Sequence, residues 1–485
     1  MRSRSGILFA ALVATTPLLS CRPAAVSSGG RPAASAVVVR GTVIRADGTT
    51  LPDAAVLVEG NRISRVGPAS EVPVPAGAAV VGGPDKWIVP GLFDAHVHFF
   101  QSGGIYTRPD IVDLTGRVPY PKERAAIAAT LDRTFARYLR SGVTSVVDMG
   151  GPLWNFEVRE RASRTALAPR VSVAGPLLSS VSRPQMMIDG DGPILEVTTP
   201  ERARAIVREQ AARHPDLVKL WWVLPQNGTA ADWLPVGKAA IDEAHALGIR
   251  VAVHATQLET ARTAVQAGAD VLVHSVDDAP LDDAFLALVR ERHVPYITTL
   301  VVLEGYAEAL GHHVHLSPAE RAIADAAVVA TVVDPPALPE RAATAAERMA
   351  ARLPVALANA KRAEDAGVLV VAGSDAGNIG TFHGPAVLRE LELYVQAGLT
   401  PAQALRAATL DAARAFGKER DLGSVEPGKL ADLVVLDASP LADVGNLARI
   451  HAVVKDGAVH RPDEILPPKP EEEMQREANR AKLGE

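Results

Sequence analysis

The stretch Ile88–Phe100, IVPGLFDAHVHFF, is apolar except for Asp94, His96 and His98. It reads as a buried strand that ends in two histidines. Side chains alternate along a strand, so residues two apart share a face. One imidazole closing an apolar run fits an ordinary core. Two on one face, with a carboxylate just before them, call for a common partner.

Seven more segments of this texture follow: GVTSVVDMG (142–150), RVSVAG (170–175), DLVKLWWV (216–223), IRVAVHA (249–255), ADVLVHS (269–275), VPYITTL (294–300) and GVLVVAGSD (367–375). Amphipathic segments such as ERARAIVREQAARH (201–214) and LETARTAVQAG (258–268) lie between them. Alternating strand and helix patterns predict a parallel sheet. Eight such units over residues 91–419 predict an α/β fold, a (β/α)8 TIM barrel, with its longest insertion from Val301 to about Glu340.

Both ends of the chain have another character. Residues 36–90 hold short alternating runs around Asp-Gly and Gly-Asn turns, and residues 420–462 contain GKLADLVVLD and IHAVVKDGAVH. Together they predict one small composite β-sandwich built from both termini. Residues 463–485, rich in Glu, Lys and Arg, read as a charged, solvated tail.

The first twenty residues pair a basic start, MRSRS, with an apolar run too short to span a bilayer, and read as a signal peptide. LLSC follows the pattern of a bacterial lipobox, which would make Cys21 a lipidated first residue and residues 21–35 a flexible tether. The expectation is an exported bacterial lipoprotein, attached to a membrane through Cys21 only. Cys21 is the single cysteine, so no internal disulfide contributes. In 485 residues the net charge is −6 with signs interspersed, which argues against nucleic-acid binding and leaves a small-molecule substrate as the expected partner. Homo-oligomerisation stays open.

In a barrel of this type, chemistry sits at the C-terminal strand ends. His96 and His98 end the first strand, Lys219 lies in the fourth, His254 and His274 end the fifth and sixth, and Asp375 ends the eighth. Taken singly, His254 or His274 reads as an ordinary core or surface histidine, Lys219 as a snorkelling side chain and Asp375 as a turn residue. Taken together in barrel order, they read as a metal centre, since imidazole and carboxylate suit zinc and similar divalent ions. Lysine fits such a centre if burial keeps its amine neutral and carbon dioxide converts it to a carbamate, an anion that can bridge two ions.

These residues resemble the amidohydrolase superfamily. The resemblance rests on PGLFDAHVH (90–98), the strand-four lysine, VHATQLETARTAVQAGADVLVHS (253–275), AGSDAG (372–377) and LGSVEPGKLADLVVLD (422–437), and it spans about 36–460. It is most similar to the imidazolonepropionase-like and Xaa-Pro dipeptidase-like branch of metal-dependent amidohydrolases. The resemblance implies that His96, His98 and Asp375 bind one divalent ion, most simply Zn2+, that His254 and His274 bind a second, and that carboxylated Lys219 bridges them. Two such cations activate a shared water and polarise a carbonyl, and Asp375 carries the proton to the leaving amine. The implied activity is hydrolysis of an amide C–N bond, of peptidase or amidase type, in dipeptides or N-acyl amino acids. Alternatives are a mononuclear cyclic amidase or deaminase and a lipid-anchored, non-catalytic binding protein. Candidate substrate contacts are His383, Tyr296, Tyr106 and Arg183, with Tyr120 nearby and GHHVH (311–315) as part of a lid.

Overall fold

The computed structural model describes residues 36–225 and 227–484. The leader, Cys21 and the tether, all within residues 1–35, lie outside the described residues. Four strands open the described chain: β1 (Val37–Ile44), β2 (Thr50–Glu59), β3 (Arg62–Pro68) and β4 (Ala79–Pro90). Ten short strands follow: β5 (Leu92–Val97), β6 (Val143–Asp148), β7 (Arg170–Val173), β8 (Leu177–Ser179), β9 (Ile194–Glu196), β10 (Val218–Trp221), β11 (Val251–His254), β12 (Val271–Val273), β13 (Tyr296–Ile297) and β14 (Val370–Val371). The last three are β15 (Leu433–Leu436), β16 (Ile450–Lys455) and β17 (Ala458–His460).

The fold is mixed α/β with parallel sheets. Strands β5-β6-β7 form one parallel sheet and β14-β13-β12-β11-β10-β8-β9 another. Each of the eight strand-like segments contains one of these strands. The connection from β7 to β10 adds β8 and β9, two three-residue strands too short for any pattern to announce. Leu220 and Trp222 face the outer core under the helices, while Phe93, Ala95, Val147, Ala252 and Val273 fill an inner apolar cluster.

The strands from the two chain ends share one seven-stranded sheet in the order β17-β16-β15-β4-β1-β2-β3. It is a single hydrogen-bonded sheet, not two separate ones, and its register shifts where β1 meets β4 between Arg40 and Thr42. A Cβ on Gly41 would lie 2.7 Å from the Lys86 carbonyl oxygen, so this close approach requires glycine. Val56 and Ile63 at one end of the sheet share a cluster with Leu433 and Val454 at the other.

The insertion after β13 is largely helical: Leu300–Leu310, Pro318–Ile323 and Ala326–Val333 precede a long helix at Arg341–Asp365. The charged terminal segment is not a free tail. It carries the helix Pro470–Leu483, docked on the helix Ala326–Val333. Asn479 is buried and its Nδ2 donates to the Ala326 carbonyl (3.0 Å), while Arg133 donates to both oxygens of Glu472 at 2.8 Å. Its charges lie largely on the exposed flank or find such partners, so a polar composition did not mean a free chain. Among the described residues, no helix is long and apolar enough to cross a membrane.

Candidate metal centre

Strand β5 delivers the first two ligands through an irregularity. Ala95 packs in the inner cluster and Val97 in the outer one, and the β5–β6 register shifts between Asp94 and Val97. The shift re-aims the strand end, so His96 and His98 converge. Their Nε2 atoms lie 3.2 Å apart, and Asp375 Oδ1 lies 3.4 Å from the first and 3.2 Å from the second. His98 Nδ1 donates to the Gly150 carbonyl oxygen at 2.7 Å, which turns its Nε2 toward His96 and Asp375. Gly373 makes room, because a Cβ there would lie 2.8 Å from His96 Cβ.

The other members surround this triangle. His274 Nδ1 is 2.8 Å from Thr299 Oγ1 and 3.9 Å from Asp375 Oδ2. The His274 ring centroid is 4.7 Å from that of His96 and 4.4 Å from that of His254. Lys219 lies on β10, two residues before Trp221, and both line the same cavity. Asp94 accepts from the backbone N–H (2.8 Å) and the hydroxyl (2.5 Å) of Ser374 and so holds the turn that presents Asp375.

Burial drives His96, His254 and His274 well below the usual imidazole range. The nearby Lys219 adds to this for all three, behind His254 in the case of His274. Burial also lowers the Lys219 amine to about 7, against the opposing pull of Asp375. The cluster therefore offers neutral imidazoles and a partly neutral amine.

The fit to a metal is testable on atoms. His96 Nδ1, Lys219 Nζ and Asp375 Oδ1 are buried without a hydrogen-bond partner. Three acceptor atoms 3.2–3.4 Å apart repel one another unless a cation or proton lies among them. The spacing matches the roughly 3.3–3.4 Å expected between tetrahedral zinc ligands with bonds of ~2.0–2.1 Å. Ligand atoms of His96, His274 and Asp375 all lie within 4.8 Å of one another. The donor set fits one or two divalent ions.

A cavity of about 320 Å³ opens onto this cluster, with apolar walls that include Phe100, Ile194, Trp221, Leu303 and Met349. A larger hollow of about 790 Å³, beside Arg159, Lys418 and Lys455, contains none of the six residues. The structure brings none of the four proposed substrate contacts to the cavity wall. His383 has both nitrogens engaged, by the Tyr138 hydroxyl and the Gln101 carbonyl, each at 2.8 Å, and it stacks on Phe99. The Tyr296 hydroxyl accepts from Val276 N–H at 2.6 Å, inside the core. Tyr106 packs against the cluster of Val302 and Tyr306. Arg183 sits behind the wall, 4.9 Å over the Trp221 ring and 3.3 Å from Asp110. Tyr120 is buried beside Phe100, and His312, His313 and His315 are also absent from the lining. What sequence reasoning missed is a set of arginines, Arg108, Arg348 and Arg352. Two of these lie at helical spacing inside a segment whose position over the cavity no local pattern reveals.

The amidohydrolase family profile matches residues 87–459, most of the chain and all six clustered residues. The chain belongs to the amidohydrolase family. This amidohydrolase is 29% identical over 380 residues to an uncharacterised protein of Mycobacterium tuberculosis, covering 78% of this chain and 86% of that one. It is 25% identical over 452 residues to the ochratoxinase of Aspergillus niger, covering 84% and 82%. Among solved structures it is similar to a Xaa-Pro dipeptidase with methionine bound in its active site, with a TM-score of 0.70, 22% identity, and coverage of 88% of this chain and 100% of that one. That last likeness concerns the fold. Within this amidohydrolase, His274, Thr299 and Asp375 adopt left-handed backbone, at φ of 73°, 50° and 59°. Each such non-glycine conformation costs on the order of 1–3 kcal/mol, and here they gather at the strand ends that carry the cluster.

Proposed function

We propose that this amidohydrolase is a metal-dependent hydrolase of amide C–N bonds, acting on dipeptides or N-acyl amino acids. One observation carries the reading: Lys219 and Asp375, whose Nζ and Oδ1 are buried without a hydrogen-bond partner, line an apolar-walled cavity, and Nε2 of His96 and of His98 lie 3.4 and 3.2 Å from that same Oδ1. Such atoms cost free energy unless a ligand uses them.

In this reading His96, His98 and Asp375 would hold one divalent ion and His254 and His274 a second, with Lys219 available to both as its carbamate. Zinc suits the imidazole-rich donor set. A bound divalent ion would supply an acidified water and a polarised carbonyl. The remaining work belongs to the chain. The apolar walls exclude bulk water and seat the substrate. Thr299 and Gly150 orient the rings of His274 and His98. Asp375, through the carboxylate oxygen that would not hold the ion, takes a proton from the attacking water and returns it to the amide nitrogen, which leaves readily only once protonated.

The reading sets this site in a closed (β/α)8 barrel over 91–419, beside a composite β domain of 36–90 plus 420–462. Parallel bridges from Val97 to Ala376 and from Ala174 to Leu217, which link the two parallel sheets at both ends, support closure. We also propose export with lipidation at Cys21, supported by the leader that ends at the only cysteine. Mass spectrometry of the membrane-derived N-terminal peptide tests it. The enzymatic reading is tested by amine release from N-acyl amino acids, dipeptides and lactams after loading with Zn2+ and bicarbonate. Release from none of them rejects it.

A further inference from the structure

The cavity's arginines differ in how their charge is met. Arg108 is forked onto Asp110, with Nε to Oδ1 and Nη2 to Oδ2 both at 2.7 Å, and it also donates to Asn378 Oδ1 at 2.6 Å. Arg352 is 3.1 Å from Asp277. Arg348 also lines the cavity, and among the described residues it has no carboxylate or hydrogen-bond partner.

Its placement follows from helix geometry. Ala345, Arg348, Met349 and Arg352 all line the cavity and lie on the helix Arg341–Asp365. Spacings of three, four and seven residues put them on one helical face. The Arg352–Asp277 pair ties that face to the loop after β12, so Arg348, one turn earlier, sits over the same opening. Arg348 is exposed, whereas His96, His98, Lys219 and Asp375 are buried and His254 and His274 partly so. The cavity is therefore graded, with the reacting centre at the floor, apolar walls between, and an unmatched cation at the rim. A guanidinium without a counter-charge at the mouth of an apolar-walled cavity attracts an anion, and its planar fork matches a carboxylate.

We infer that Arg348 receives a substrate carboxylate at the cavity mouth, so that the preferred amides are N-acyl amino acids with a bulky apolar side chain and a free carboxylate. The inference rests on the amide-hydrolase reading. It adds a specificity-determining residue, contributed by the long helix Arg341–Asp365 and not by a strand end.

The test compares N-acetyl-phenylalanine with N-acetyl-phenylalaninol, which has the same amide and ring but no charge. Both are assayed by amine release and by calorimetric binding to the zinc-loaded protein, with Arg348→Met, Arg348→Lys and Arg348→Glu set against the parent. The parent should favour the anion. Arg348→Met should lower the anion-to-neutral ratio of kcat/KM by about tenfold, as expected for one lost charge-assisted hydrogen bond, with the change in KM. Arg348→Lys should recover part of the ratio, and Arg348→Glu should lower it further. An unchanged ratio in Arg348→Met, with melting temperature preserved, overturns the inference. If neither amide is cleaved, the amide-hydrolase reading is decided by the wider panel of dipeptides, N-acyl amino acids and lactams, and binding alone decides on Arg348. A preference for the anion that Arg348→Met removes supports it; equal affinities overturn it.

Discussion

His96 and His383 are both buried histidines, and the fold treats them in opposite ways. His383 has a partner on each nitrogen and a stacked Phe99 against its ring. Burial lowers its pKa to about 4, so it is neutral, and its environment needs nothing more. His96 has an unpartnered Nδ1, while its Nε2 faces His98 and Asp375. A satisfied polar group in a core is structure. Unsatisfied titratable groups gathered beside one cavity, at roughly 1–3 kcal/mol each, mark a place arranged for a ligand. The same contrast separates Glu390, which accepts from Thr298 Oγ1 at 2.6 Å and Val301 N–H at 2.8 Å, from Lys219, whose amine has no partner.

The contrast can be broken by substitution. The largest effect belongs to Asp375→Asn, which should lower amine release by roughly 10³-fold, within the range for a lost general acid–base. A loss of only a few-fold would remove Asp375 from the proton path. Next comes a pH effect in the satisfied set. Burial raises Glu390 from 4.5 to about 7. The folded state therefore holds its proton more tightly than the unfolded chain does. That contribution is complete below about 4.5 and is lost as pH rises through about 7, up to ~3 kcal/mol in all. Denaturant titrations of Glu390→Gln should show a shallower fall of stability across this window than the parent; an equal fall in both would contradict it. His383→Phe should destabilise metal-free and metal-loaded protein alike by about 1–3 kcal/mol, leaving metal affinity intact. The last effect is a reversal of sign. Lys219→Met should stabilise the chelated protein by about 1–2 kcal/mol, because it removes an unpaired buried amine, while abolishing the extra stability gained on loading. Destabilisation of the chelated protein would place Lys219 with the satisfied groups.

Much of this was legible in the sequence. The parallel strands were readable because each is a short apolar run between turn signals, and the six clustered residues because each interrupts or closes such a run. The histidine in GTFHG at 380–384 looks much the same on paper. Only the tertiary partners Tyr138 and Gln101 distinguish His383 from a ligand. Alternation alone put His96 and His98 on one face, but the register shift between Asp94 and Val97 left no mark in the pattern. Arg348 and Arg352 were hidden because a helix lying over a cavity is set by long-range packing, here the Asp277 pair. The terminal helix was mistaken for a free tail because its composition is polar, although Glu472, Arg476 and Asn479 all find partners on neighbouring helices.

The most direct measurement is the metal content of the protein after equilibration with Zn2+ and bicarbonate, in the parent and in His96→Asn and His254→Asn. The expected result is about two ions per chain in the parent, with loss in each variant. One ion per chain, unaffected by His254→Asn, would favour a mononuclear centre. No bound zinc in the parent, or the same content in all three proteins, would contradict the claim that these six clustered residues hold metal ions.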